Sequence, residues 1–121
     1  LQDFLLGPKR TALAGDELIV AVRVTSGGPE TFMKVGPRNA MVISVCSLAL
    51  HVDRERGELR AAFGSAAPTV RLVTAPLDEA ASFPALVAES ASPIDDVRGT
   101  AAYRRHCLGV LTRRALERCL A

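Results

Sequence analysis

The sequence predicts an α+β domain: a three- to four-stranded antiparallel sheet packed against helices as a sandwich. Three observations lead there. Residues 18–24 and 58–64 alternate apolar and other side chains with the period of two that marks a strand. The charged cluster Asp53-Arg54-Glu55-Arg56-Gly57 lies between two apolar stretches and ends on a glycine able to take positive φ, so it reads as a hairpin turn. From Thr100 onward the apolar period changes to three and four residues, and strands give way to a helix.

Taken in order, residues 7–15 hold Pro8, Lys9, Arg10 and Gly15 and read as a connecting loop with a short Thr11-Ala12-Leu13 contact. The opening residues, beginning at Leu1, read as the continuation of a longer chain, with 1–16 a connecting segment. Residues 18–24 follow as a strand, with Leu18, Val20, Val22 and Val24 on one face and Ile19, Ala21 and Arg23 on the other. Thr25-Ser26-Gly27-Gly28-Pro29 ends it. A short strand over 30–35 is broken by Gly36-Pro37, because proline lacks the amide a ladder needs.

Residues 38–44 are expected to make a helical turn and 45–53 a strand. After the turn at 53–57, residues 58–64 pair antiparallel with that strand, presenting Leu59, Ala61 and Phe63 to one side. Residues 70–73 give a brief strand. Residues 77–81 form a short helix, and 83–91 a second one opened by Pro84. Thr100 offers an N-cap oxygen to the last helix, whose core side carries Tyr103, Cys107, Leu108, Leu111, Ala115 and Cys119. Arg104, Arg105, Arg113, Arg114 and Arg118 are assigned to its other face.

Composition narrows the function classes. A chain of 121 residues with 49% hydrophobic and 23% charged residues can bury a core without metal or disulfide staples. A net charge of +2 does not make it a polyanion binder. The arginine stripe raises a nucleic-acid or acidic-protein module, but only five aromatic residues occur and none interleaves with the arginines. Cys46, Cys107 and Cys119 form no CxxC pair and lie in apolar segments, as buried thiols of a reducing cytoplasm do. No apolar run reaches membrane-spanning length, so a cytoplasmic protein without membrane contact is expected.

Candidate chemistry concentrates at Lys34. It stands with Arg38 between two apolar stretches, where a cation calls for an anion; a surface lysine at a strand edge is the plainer alternative. His51 and His106 are distant from each other and lack a carboxylate cluster, so no metal set is assigned. Ser44 and Ser47 have no elbow or base partner, and no catalytic residue is assigned. Asp95 and Asp96 precede a helix and are expected to bond local amides or meet Arg98.

The ordered set of signals resembles the C-terminal domain of the FAD-binding subunit of molybdenum hydroxylases, the xanthine dehydrogenase and carbon monoxide dehydrogenase family. The residues that carry the resemblance are Asp3-Phe4-Leu5-Leu6-Gly7 with Thr11, Asp16-Glu17-Leu18-Ile19, and Phe32-Met33-Lys34-Val35-Gly36-Pro37-Arg38-Asn39-Ala40. It continues through Ala66-Ala67-Pro68-Thr69-Val70-Arg71 and closes with the run from Pro93 to Arg104. Where many relatives carry a proline directly after the strand at 18–24, this chain has Thr25-Ser26-Gly27-Gly28-Pro29.

The resemblance implies a single C-terminal flavoprotein domain over 1–121, following an N-terminal FAD-binding domain. By it, Lys34 and Ile19 match positions that contact FAD, and Arg38 matches a frequently basic one. It further implies partners: that N-terminal domain, a molybdopterin-binding large subunit and a [2Fe-2S] iron–sulfur small subunit. The glycine-rich loops that hold the FAD pyrophosphate are not in this sequence, since Gly27-Gly28 lacks the required spacing. On its own the domain should be catalytically silent within an FAD-dependent oxidoreductase. A non-catalytic dimerisation module, or one that binds an anionic ligand, is the alternative.

Overall fold

A computed structural model describes residues 3–24 and 27–121 of the chain. Its elements in order are β1 (Leu5–Gly7), β2 (Arg10–Thr11), β3 (Glu30–Val35), β4 (Cys46–Asp53), β5 (Glu58–Gly64), β6 (Arg71–Pro76), α1 (Phe83–Glu89) and α2 (Ala101–Leu120). Strands β3, β4, β5 and β6 form one antiparallel sheet in that spatial order. The expected α+β sandwich is therefore present, with four strands in the sheet and both helices on one of its faces.

The β4–β5 hairpin follows from its turn. Asp53 pairs with Glu58, Gly57 takes φ +64°, and the Arg56 amide donates to Asp53 Oδ1 at 3.0 Å. Alternation then puts Cys46, Leu48, Leu50 and Val52 of β4 beside Leu59, Ala61 and Phe63 of β5 on one buried face. Phe83 and Val87 of α1 and Cys107, Leu108, Leu111, Ala115 and Cys119 of α2 close over that face as a single core. α2 starts where its cap requires: Thr100 Oγ1 accepts from the Tyr103 amide at 3.2 Å, and Asp95 Oδ1 accepts from the Ala101 amide. Pro84 stands in the first turn of α1, where its missing N–H costs nothing.

Several expectations are corrected. Residues 18–24 form no strand and lie exposed, because a strand needs a neighbour to take its amides and carbonyls, and neither sheet includes them. The expected loop at 7–15 contains a two-stranded ribbon, β1 with β2, turned at Pro8-Lys9 with Lys9 at φ +58°. No helical turn forms at 38–44. Met41 takes φ +45°, outside the helical region, and the backbone bends there. β6 extends to Pro76, which an edge strand tolerates, and residues Leu77–Glu79 make one 3-10 turn in place of a longer helix. α1 ends at Glu89, two residues earlier than expected.

The last corrections concern neighbours on α2: Tyr103, expected on the core side, is 48% exposed, and Arg104, expected on the solvent side, is 2% exposed and belongs to the buried side. Of the expected loop at 25–29, Thr25 and Ser26 lie outside the described residues, as do Leu1 and Gln2 of the opening segment. Among the described residues no helix is long and apolar enough to cross a membrane.

Candidate functional site

The helices cover one face of the sheet and leave the other open. Register places three rows of side chains across that open face. Phe32, Ala49, Ala62 and Leu72 make an apolar row; Glu30, His51, Arg60 and Thr74 flank it on one side, and Lys34, Ser47 and Gly64 on the other. In the Lys34 row the two neighbours are small, so the sheet beside the lysine is a low shelf. A Cβ added at Gly64 would meet Ser47 Oγ at 3.1 Å.

Lys34 is exposed on the edge strand β3, and its Nζ donates to the carbonyl oxygen of Val42 at 3.2 Å. Among the described residues no carboxylate lies within salt-bridge distance of it. The loop that supplies Val42 folds tightly back on β3. A Cβ at Gly36 would come to 2.5 Å from Val42 Cγ1, so any larger residue there would force Val42 to shift. Arg38 donates to the Met41 carbonyl oxygen, which occupies this second cation within the loop. Met41 and Ile43 project outward from the loop into solvent.

The base of this loop is held from beneath by Arg104. Its guanidinium donates to the carbonyl oxygen of Val45 at 2.8 Å, to that of Ser65, and to Asp96 Oδ1. Asp96 also takes two donors from the Arg98 guanidinium and the Arg98 amide. The Arg98 bonds, joined by Arg104, hold its carboxyl at about 2, well below the usual carboxylate range. Asp95 and Asp96 thus do the local bonding expected of them. Arg104 Nε is buried without a partner. The signal for Arg104 was present in the sequence: it stands three residues before Cys107 and four before Leu108, on the apolar face of α2.

Ile19 is not brought to Lys34 by any shared element. It sits in the 18–24 segment, outside both sheets and 53% exposed, while Lys34 belongs to the four-stranded sheet. Two hollows lie elsewhere. One, about 970 Å³ on the open sheet face, includes Phe32, His51, Arg54, Arg60 and Leu72; the other, about 750 Å³ along α1 and α2, includes Arg105, His106 and Arg113. Neither includes Lys34 or Ile19. The arginine stripe is thinner than its sequence suggests, since Arg104 turns inward and Arg105 reaches the Ala91 carbonyl oxygen at 3.4 Å. All three cysteines are buried free thiols, and burial pushes Cys46 up to about 12. Among the described residues no group of three His, Cys, Asp or Glu side chains is placed to hold a metal ion.

The arrangement can therefore bind an anion or an electron-rich ring against a flat shelf. Comparison with known families gives that shelf a context. Residues 31–119 match the model of the CO dehydrogenase flavoprotein C-terminal domain. The chain belongs to this family. The match covers the four-stranded sheet and both helices but for Glu30, the first residue of β3, and Leu120, the last of α2.

Solved structures agree in fold. The chain is similar to carbon monoxide dehydrogenase from Hydrogenophaga pseudoflava lacking the Mo-pyranopterin moiety of the molybdenum cofactor, with a TM-score of 0.80 and 19% identity over 98% of this chain and 47% of that one. It is similar to a cyanide-inactivated Cu,Mo-CO dehydrogenase, with a TM-score of 0.80 and 25% identity over 98% of this chain and 46% of that one. Quinoline 2-oxidoreductase from Pseudomonas putida 86 matches with a TM-score of 0.79 and 21% identity, over 97% of this chain and 46% of that one. The flavoprotein C-terminal domain described here thus spans about half the length of the solved chains it matches. A comparison with curated proteins finds no match.

Proposed function

We propose that this chain works as the C-terminal domain of the FAD-binding subunit of a molybdopterin-dependent hydroxylase, where it lays one wall of the flavin site and takes part in passing electrons from iron–sulfur clusters to FAD. The observation that carries the reading is Lys34: an exposed cation, fixed by the Val42 carbonyl oxygen, beside a shelf of Ser47 and Gly64, with no carboxylate among the described residues within salt-bridge distance of it. Such a group fits an electron-rich ring or a phosphate, and its neighbours are low enough to admit a flat ligand. Bound FAD would supply the redox chemistry, accepting electrons and handing them on.

The residues of this chain hold and orient. Lys34 contributes positive charge, and Ile19 an apolar side chain for the ring system, once the 18–24 segment is in place. The pyrophosphate-binding loops, absent from this sequence, belong in the reading to the preceding N-terminal FAD-binding domain, to which residues 1–16 connect. Molybdopterin and the [2Fe-2S] clusters are assigned to the large and small partner subunits. The parent enzyme is read as cytoplasmic and the isolated domain as inactive.

The test is Lys34→Ala in the intact subunit. Loss of a charge-assisted contact of about 1.5–3 kcal/mol should weaken flavin retention, or slow flavin reduction, by roughly 10- to 100-fold, with the fold unchanged. Flavin content from visible absorbance and stopped-flow reduction both report it. Unchanged content together with an unchanged rate would reject the role of Lys34.

A further inference from the structure

We propose that the groove between α1 and α2 is a docking site for an acidic amphipathic helix of another protein. The groove, about 750 Å³, runs along the outer side of the helix pair, and no residue of the four-stranded sheet lines it. It is separate from the Lys34 shelf, and the inference does not depend on the flavin reading.

The way the two helices meet builds the cleft. On α1 the facing side chains are Pro84, Ala85 and Ala88, all short. On α2 the facing position is Gly109, where an added Cβ would stand 3.7 Å from the Pro84 carbonyl oxygen and 3.8 Å from Ala88 Cβ. The helices therefore approach closely, and no long side chain fills the space above their contact. Val110, Leu116 and Leu120 continue the apolar lining, with Leu120 39% exposed.

The rim decides the occupant. Arg105, His106 and Arg113 stand around the groove, and Glu117 is the one carboxylate that lines it. Glu117 follows Arg113 by one turn, the weaker order for an i, i+4 pair. Among the described residues no carboxylate lies within salt-bridge distance of Arg105 or Arg113. The dipole of α2 accounts for Arg118 in its last turn, but not for these two arginines, which lie further from the C-terminus. Exposed cations beside an apolar cleft match a segment that carries carboxylates next to an apolar face. Arg105 and Arg113 are eight residues apart on α2, about 12 Å along its axis, so the segment needs carboxylates about two helical turns apart with apolar side chains between them.

Other occupants fit less well. A second copy would bring the same basic surface to the contact, because Arg105, Arg113, Arg114 and Arg118 are all exposed on α2 against Glu117 alone. A nucleic-acid strand would leave the apolar cleft unused, and no aromatic side chain lines the groove for a base to stack on.

Fluorescence anisotropy of the full chain with a labelled synthetic peptide tests this. The probe is a helix of about 18 residues with leucines at i, i+3, i+4 and i+7 and glutamates flanking them, and a scrambled peptide of the same composition is its control. The ordered peptide should bind saturably and at least ~10-fold more tightly than the scrambled one. Arg113→Glu, which reverses a rim charge, should weaken binding ~10-fold or more, and Ala85→Gln, which lengthens a groove side chain without adding charge, by a similar factor. Both positions are exposed, so the fold should persist, as circular dichroism checks. Arg54→Glu, on the hairpin turn, should leave affinity within about twofold. In the unaltered chain, amide NMR shifts on adding the peptide should be confined to α1 and α2, a readout that needs no variant. Equal binding of the two peptides, no loss with Ala85→Gln, an Arg54→Glu loss as large as that of Arg113→Glu, or shifts on the open sheet face would each overturn the proposal. Displacement of the peptide by a single-stranded oligonucleotide at lower concentration would overturn it in favour of nucleic acid.

Discussion

Replacing the buried Arg104 by alanine should cost more stability than any single change at an exposed position of α2. Its guanidinium serves three acceptors at once, the carbonyl oxygens of Val45 and Ser65 and the Asp96 carboxylate, which lie in three different connections of the fold. Truncation strands the buried Val45 carbonyl, at about 1–3 kcal/mol, and the part-buried Ser65 carbonyl, at less. It also opens a hole where the stem of a 2% exposed side chain had packed. Part of the Ser65 site is open to solvent, so a total near 3 kcal/mol is expected rather than the upper limit. In a domain of this size that lowers Tm by roughly 10 °C. Arg104→Lys should recover only part, because an ammonium cannot reach all three acceptors in the fork geometry of a guanidinium. Urea unfolding followed by circular dichroism measures the change. A loss below about 1 kcal/mol for Arg104→Ala, or full recovery by lysine, would show that the three connections are not held by this side chain.

Other consequences follow from single positions. Gly28 takes φ +84°, and an added Cβ would sit 2.8 Å from the Val52 carbonyl oxygen, so Gly28→Ala should destabilise by about 1–2 kcal/mol in the same unfolding assay, whereas Gly15→Ala, with open space around it, should not. Asp96 titrates lower in the folded chain than its ordinary value of 3.8, so the unfolded state binds its proton first on acidification. Its contribution is complete above about pH 4 and is lost as pH falls towards 2, and Asp96→Asn should flatten the acid limb of the stability profile in that window. Cys46 runs the other way: with its folded value near 12 and an ordinary value of 9.0, its effect is fully present below pH 9 and is lost as pH rises from 9 towards 12. At pH 8 a thiol reagent should label none of the three cysteines in the folded protein and all three in denaturant; rapid labelling of the native chain would contradict their burial.

The segment at 18–24 shows where reading a sequence stops. Alternation of Leu18, Val20, Val22 and Val24 is a property of the chain, and it predicts a strand that the structure does not form. A strand is completed by its neighbour, and alternation carries no information about whether that neighbour lies within 121 residues. The loop at 38–44 failed differently. Its apolar residues suited a helical turn, but closure of Gly36 against Val42 and the bond from Lys34 to the Val42 carbonyl oxygen bend the chain instead.

What the sequence by itself determined is whatever depends on near neighbours: the hairpin at Asp53–Gly57, the alternating buried faces of β4 and β5, Thr100 as a cap, Pro84 in a first turn, and the ordered motifs that identify the family. These are set within a few residues by steric limits and hydrogen-bond geometry. The tertiary structure alone decided which acceptors the buried Arg104 serves, that Lys34 stands on an open shelf next to Ser47 and Gly64, and that Ile19 is left apart from it. Each of these depends on groups tens of residues away, brought together by burial of the common core, which acts on total apolar area and leaves the placement of individual charges to the packing that results.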